Sequence, residues 1–185
     1  MKSASWARRA GLEFLSDRRG AAAAELALWA TVLMVPVLSI ADLAFYTYQK
    51  MQVEMASQAG AGASWRVCNT STLMPATANC TGLSAAVTTA VQSTSLATAV
   101  TATIAEGWYC VNGSSALVLI GTAGTIASPL TATRPNCSSV GAATVLAGEY
   151  VLVTTSYTFT APYTGVSMAS LLPSPITKTS WMRLR

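Results

Sequence analysis

The sequence predicts an α+β protein in which a long amino-terminal helix spans a membrane and is followed by a small domain of one helix and an antiparallel β-sheet. Residues 21–41 are predominantly apolar and contain Glu25 as their one charged residue, and a helix needs about 20 predominantly apolar residues to cross a bilayer core. From Gly107 onward, runs of β-branched and aromatic residues alternate with turn residues, which is typical of antiparallel strands. Charged residues make up only 10% of the chain, against roughly 25% in an average soluble domain.

The first element is a basic leader, residues 1–20, in which five Lys or Arg residues stand against Glu13 and Asp17. Its net charge, five minus two, supplies +3 of the chain's +4. Positively charged flanks stay in the cytoplasm, so the chain beyond the apolar run is expected outside the inner membrane. The absence of Lys and Arg between Arg66 and Arg134 agrees with export. The charge therefore indicates topology and not nucleic-acid binding.

The second element, residues 21–66, is predicted as one helix that crosses the membrane and continues as an amphipathic spine. Beyond Phe45, apolar or small residues recur every three or four positions, and this predicted stripe comprises Tyr48, Met51, Met55, Ala59 and Gly62. The stripe is free to pack on its own domain or on neighbouring subunits. Pro36 is expected to kink the helix, and Asp42 is expected to be a solvated residue at the end of the apolar run.

The third element, residues 67–185, is predicted as an exported α+β domain. Residues 67–82 have the composition of an irregular loop. Apolar positions at near-helical spacing then predict a second helix from Leu83 to about Ala105. Four strands follow from the alternating pattern, at residues 108–111, 116–120, 149–160 and 176–184.

All four cysteines lie in this third element, namely Cys68, Cys80, Cys110 and Cys137. An even number of cysteines on the oxidising side of a membrane favours two disulfides. A zinc site is the competing interpretation, but the chain has no CxxC spacing and no histidine. Four cysteines allow three pairings, and sequence proximity alone favours Cys68 with Cys80 and Cys110 with Cys137.

Residues able to support catalysis are scarce. Without histidine there is no Ser-His or Cys-His pair, and the acids Glu106 and Glu149 occur in different sequence contexts with no evident partner. Lys178 is interpreted as a solvated strand residue. No nucleotide-binding motif is present, so we expect neither an enzyme nor a cofactor or metal site.

The most informative feature is therefore the junction between leader and helix, where Gly20 is followed by Ala21 and, five positions after the glycine, by Glu25. A carboxylate inside an apolar span is unfavourable, so either it reaches toward water at the interface or it has a specific cationic partner. The arrangement resembles type IV prepilins. That resemblance implies cleavage after Gly20 by a prepilin peptidase, Ala21 as the new amino terminus, and Glu25 as the group that neutralises a terminal ammonium during assembly.

The narrower resemblance is to the TadE-like pseudopilins of tight-adherence (Tad/Flp) pili, over Asp17 to Trp65 and again over the strand of Tyr150 to Phe159 and the last ten residues. It implies a minor pilin or pseudopilin that acts in pilus initiation, assembly or the tip, and so in surface adhesion. The implied partners are other Tad pseudopilins and pilin subunits, the prepilin peptidase, the inner-membrane assembly platform and the lipid bilayer. Leu26 departs from Flp-type pilins, which usually have an aromatic residue after the glutamate.

The resemblance further implies a single-pass protein of the bacterial inner membrane with a periplasmic carboxyl-terminal domain, with incorporation into the extracellular pilus as an additional expectation. Two alternatives stay open. An ordinary secreted or signal-anchored protein would use Ser39-Ile40-Ala41 as a signal-peptidase site, and a membrane-anchored enzyme would need catalytic groups that the sequence does not display.

Overall fold

The computed structural model describes residues 18–122, 134–163 and 171–185. Most of the predicted leader, together with residues 123–133 and 164–170, lies outside this range. The chain divides into two compact units. The first unit comprises Met1–Ala44 with Ala161–Leu172, and the second comprises Phe45–Thr160 with Pro173–Arg185.

The longest element is helix α1, Arg18–Val67, of 50 residues. Alanine and leucine dominate its first half, and both have high helix propensity. The helix continues through Pro36, as apolar helices can when neighbouring groups satisfy the freed backbone. It ends at Val67 where the Cys68–Cys80 disulfide begins, so the predicted single spine helix is observed with nearly the expected bounds.

The second unit is built on a four-stranded antiparallel sheet in the order β2-β1-β5-β6. A separate hairpin pairs β3 with β4. Strand bounds are β1 Thr101–Val111, β2 Leu117–Thr122, β3 Asn136–Cys137, β4 Ala142–Leu146, β5 Gly148–Tyr157 and β6 Ile176–Arg183. The α+β prediction is therefore confirmed, while the β3–β4 hairpin, whose first strand has two residues, was not predicted.

Two short helices, α2 Ala76–Asn79 and α3 Leu83–Val91, precede the sheet. The prediction of one helix from Leu83 to about Ala105 is wrong in its second half, because β1 already begins at Thr101. Residues 100–104 contain four β-branched side chains, which suit a strand better than a helix. Their pairing partner, β5, lies far away in sequence, so local spacing alone did not reveal it.

The core of the second unit forms where one face of α1 packs on β5 and α3. Its buried members include Ala56, Val87, Val91, Val151 and Val153. Gly60 lies in this contact, since a Cβ built on it would stand 2.8 Å from a Val91 methyl carbon. Small residues on this helix face thus allow close approach to the chain's own domain.

The predicted apolar stripe of α1 lies on a different face. Tyr48, Met51, Met55 and Ala59 are exposed, and Gly62 is half-buried, with no atom within 4 Å of the point where a Cβ would stand. The alternative in which this stripe packs on its own domain is therefore wrong. The residues of α1 that enter the core are smaller and lie one or two positions away from the stripe. They are less hydrophobic than methionine and tyrosine, so the spacing of hydrophobic residues did not single them out.

Both disulfides are present, joining Cys68 to Cys80 and Cys110 to Cys137. This is the pairing that sequence proximity favours. The first closes the loop that carries α2, and the second attaches β3 to the end of β1 beside the buried side chain of Trp108. All four sulfurs are consumed, so the structure has no place for the competing zinc site at these cysteines.

Candidate processing and assembly site

The residues predicted for processing and assembly lie near the start of α1. Gly20, Ala21 and Glu25 are all helical, and all three are exposed. Residues four apart on a helix are neighbours on its surface, with Cβ atoms about 6 Å apart. The side chain of Glu25 therefore lies one turn from Ala21, within reach of an amine that would be created there by cleavage after Gly20.

The helix surface that follows is apolar around its whole circumference. Every residue from Gly20 to Val37 is exposed, and the large side chains among them keep 42–71% of their surface accessible. α1 from Gly20 is long and apolar enough to cross a membrane. A helix that is exposed and hydrophobic on all sides is suited to lipid.

The few hydroxyl groups in this apolar stretch are satisfied within the helix. Thr31 Oγ1 donates to the carbonyl oxygens of Ala27 and Leu28, at 3.1 and 2.8 Å. Ser39 Oγ donates to the carbonyl oxygen of Val35 at 2.8 Å. Such back-bonding removes the cost of placing a hydroxyl in hydrocarbon. Glu25 is then the only ionisable residue between Gly20 and Ser39.

Asp42 differs from its prediction. Only 1% of its surface is accessible, so the expectation of a solvated boundary residue is wrong. A buried carboxylate requires polar partners, and Asp42 takes part in such an interaction. Its position at the end of an apolar run suggested water, and the sequence held no signal for its burial.

Comparison with known families addresses this same segment. The family model described as TadE-like protein matches residues 20–62. This segment is therefore similar to TadE-like proteins. The match begins at Gly20 and includes Ala21 and Glu25, and it confirms the resemblance proposed from the sequence over the amino-terminal part of the chain.

The TadE-like segment is only part of the molecule. It ends within α1, so the sheet, the disulfides and the terminal strands lie outside it. No curated protein and no solved structure matches the chain.

Polar contacts join α1 to the sheet within the second unit. Lys178 Nζ lies 3.1 Å from Glu54 Oε2, and the hydroxyls of Ser57 and Ser180 are 2.7 Å apart. The buried hydroxyl of Thr155 donates to the carbonyl oxygen of Val53 at 3.1 Å. Lys178 lies on a strand, as predicted, and its partly exposed side chain also pairs with Glu54 across the helix–sheet contact.

The structure also places close together two glutamates, Glu106 and Glu149, that are distant in sequence. Glu106 on β1 and Glu149 on β5 are both buried, at 9% and 1% exposure. Glu149 stands opposite Trp108 in the antiparallel register, so both carboxyl groups lie on the same face of the sheet, one step apart. Two facts are needed to place the two carboxyl groups together: the alternation of side chains along a strand and the pairing register of β1 with β5. The sequence alone supplies the alternation but not the register.

The two carboxyl groups have different partners. Glu106 accepts hydrogen bonds from the backbone N–H groups of Ala76 and Thr77 and from the Thr77 hydroxyl, at 2.7–2.8 Å. Glu149 forms an ion pair with Arg185, whose Nε lies 2.7 Å from Glu149 Oε2. Burial, together with a hydrogen bond to Glu106, raises the pKa of Glu149 to about 7, although the charge of Arg185 opposes the shift.

Proposed function

We propose that this chain is a minor pilin or pseudopilin of a Tad/Flp-type pilus and contributes to pilus assembly, initiation or the tip. The observation that carries the proposal is the coincidence of Gly20, Ala21 and Glu25 with the start of a TadE-like match and of an exposed apolar helix. The role is structural, and adhesion to surfaces follows from the pilus as a whole.

In this proposal the chain is made as a single-pass inner-membrane protein with residues 1–20 in the cytoplasm and the residues after α1 in the periplasm. A prepilin peptidase removes the leader after Gly20, and an inner-membrane assembly platform then receives the helix from the bilayer. The partners are other Tad pseudopilins and pilin subunits. The charge asymmetry supports this topology, since the leader carries most of the net positive charge.

Glu25 has a specific task in this scheme. Cleavage after Gly20 creates a positive ammonium on Ala21, one helical turn from the Glu25 carboxylate. Two opposite charges that leave water together avoid much of the cost that each would meet alone. Glu25 therefore neutralises the terminal ammonium of its own chain or of a neighbouring subunit during assembly.

The test of this task compares Glu25→Ala with Glu54→Ala in a strain that lacks the native copy. Glu54 is the matched control, because it is an exposed carboxylate on the same helix, far from the cleavage site, and its surface ion pair with Lys178 contributes little to stability. We expect Glu25→Ala to be inserted and cleaved normally while surface pili fall well below the wild-type number, and Glu54→Ala to retain them. Normal piliation by Glu25→Ala contradicts the charge-pairing role.

A pull-down of the tagged chain from solubilised membranes tests the assignment to a pilus. Recovery of pilin subunits and assembly-platform proteins supports it. Exclusive recovery of proteins unrelated to a pilus favours the alternative, a secreted or signal-anchored protein at the cell surface.

A further inference from the structure

The buried pair Glu106 and Glu149 has an unusual place in the chain. Residues 67–185 contain only these two acids, and the fold buries both of them on one face of one pair of strands. An isolated buried carboxylate is costly, and two adjacent ones repel each other as well. A pair in this position is stable when one carboxyl group keeps its proton and donates it to the other.

The charges around the pair favour a single retained proton. Arg185 compensates one carboxylate, and from the loop before β1 only the amides of Ala76 and Thr77 and the Thr77 hydroxyl reach Glu106 among the described residues. Arg134 is directed elsewhere, since it donates to the carbonyl oxygen of Ala147 and lies 5.9 Å from the Trp108 ring centroid.

The three hydrogen bonds to Glu106 connect the sheet to α2, which lies in the loop closed by the Cys68–Cys80 disulfide. Strands β1 and β5 are held by nine paired positions along their ladder. The loop has no such ladder to β1, and Glu106 provides its polar attachment within the part of the chain that the structure describes. Repulsion between two ionised carboxylates would therefore displace the loop more readily than the strands.

We propose that Glu106 and Glu149 share one proton, and that loss of this proton loosens the Cys68–Cys80 loop from the sheet. In the protonated state Glu149 donates to Glu106, which stays in place to accept from Ala76 and Thr77. After the proton leaves to solvent, two neighbouring carboxylates are compensated only by the Arg185 guanidinium that pairs with Glu149, and the attachment of the loop weakens. The domain is then firmly assembled in acidic surroundings and looser in alkaline ones.

The raised pKa of Glu149 determines how the stability of the fold changes with pH. The pKa of Glu149 in the folded chain, about 7, lies above its ordinary value of 4.5, so the folded state holds a proton that the unfolded state has released. Stability from this group is complete below pH 4.5 and is lost as the pH rises through 7.

The direct test is a carboxyl ¹³C NMR titration of the full chain in detergent micelles, with the glutamate side chains labelled. We expect one glutamate to titrate near neutral pH and its resonance to be missing in Glu149→Gln. Titration of every glutamate close to the ordinary pKa of 4.5 overturns the proposal. This measurement needs only the wild-type chain to decide, even if a variant fails to fold.

The second measurement follows the thermal midpoint and the amide proton shifts of Ala76 and Thr77 between pH 5 and pH 8. The wild-type midpoint is expected to fall by several degrees, with both amide signals moving over the same range. Glu149→Gln should abolish both changes, because its amide donates to Glu106 and has no proton to lose. Glu54→Gln is the matched control and should keep the wild-type response. An equally steep response in Glu149→Gln contradicts the proposal.

Discussion

Two glycines two positions apart on α1, Gly60 and Gly62, should differ in stability after the same substitution by alanine. A Cβ at position 60 would lie 2.8 Å from Val91 Cγ2 and 3.0 Å from Val153 Cγ1, whereas a Cβ at position 62 meets nothing within 4 Å. Replacing a helical glycine by alanine stabilises by about 1 kcal/mol through helix propensity. Forcing a methyl group into a packed core costs about 1–3 kcal/mol.

Gly62→Ala should therefore raise the free energy of unfolding by about 1 kcal/mol. Gly60→Ala gains the same propensity but loses about 1–3 kcal/mol to overpacking, so it should be less stable than Gly62→Ala by about that amount. Urea unfolding of the full chain in detergent micelles, followed by tryptophan fluorescence, measures both. Equal stability of the two variants would refute the assignment of Gly60 to the contact of α1 with its own domain.

Three further changes test the interior of the second unit by the same assay. Replacing Cys68 and Cys80 together by serine should cost about 3 kcal/mol, since the disulfide closes a short loop; an unchanged midpoint under non-reducing conditions would exclude a stabilising bond. Thr155→Val should cost about 1 kcal/mol because the buried carbonyl oxygen of Val53 loses its side-chain donor, and a more stable variant would contradict that contact. Met74→Ala should cost about 2–5 kcal/mol, because the side chain is 1% exposed in the core; a loss below about 1 kcal/mol would show that the site is not tightly packed.

Much of the architecture was predictable because it depends on local patterns. The apolar run from Ala21 made the long helix evident, and alternation from Glu149 to Thr160 predicted the strand that is observed as β5, Gly148–Tyr157. The buried face of β5 holds Val151, Val153 and Thr155, which the period of two places together. Each of these features can be predicted from the sequence of a single helix or strand.

The wrong or missing predictions concern features that depend on contacts between segments distant in sequence. Residues 100–104 have a mixed pattern, and pairing with β5 makes them a strand. Likewise, neither Glu106 nor Glu149 has a partner nearby in sequence, and only the β1–β5 register brings the two together. The face of α1 that enters the core was missed because its small residues permit close packing without a strong hydrophobic signal.

The segment that carries the proposed function was identified from the sequence by a lone carboxylate in an apolar span and by its resemblance to type IV prepilins. Gly20, Ala21 and Glu25 sit at the start of a helix that is exposed on all sides, and the TadE-like match begins at the same glycine. Their proposed roles depend on a covalent event, removal of the leader. Sequence spacing and helix geometry support those roles, because they bring the carboxylate close to the new amine.

The mature amino terminus therefore tests the central claim most directly. Intact-mass and amino-terminal peptide mass spectrometry of the chain, purified from the membrane of a strain with its native prepilin peptidase, identifies the first residue. We predict Ala21 as the first residue in that strain and an uncut chain when the peptidase is absent. A terminus at Asp42 would instead indicate a general signal peptidase and contradict the pilin assignment, as would an uncut chain in the strain that has the peptidase.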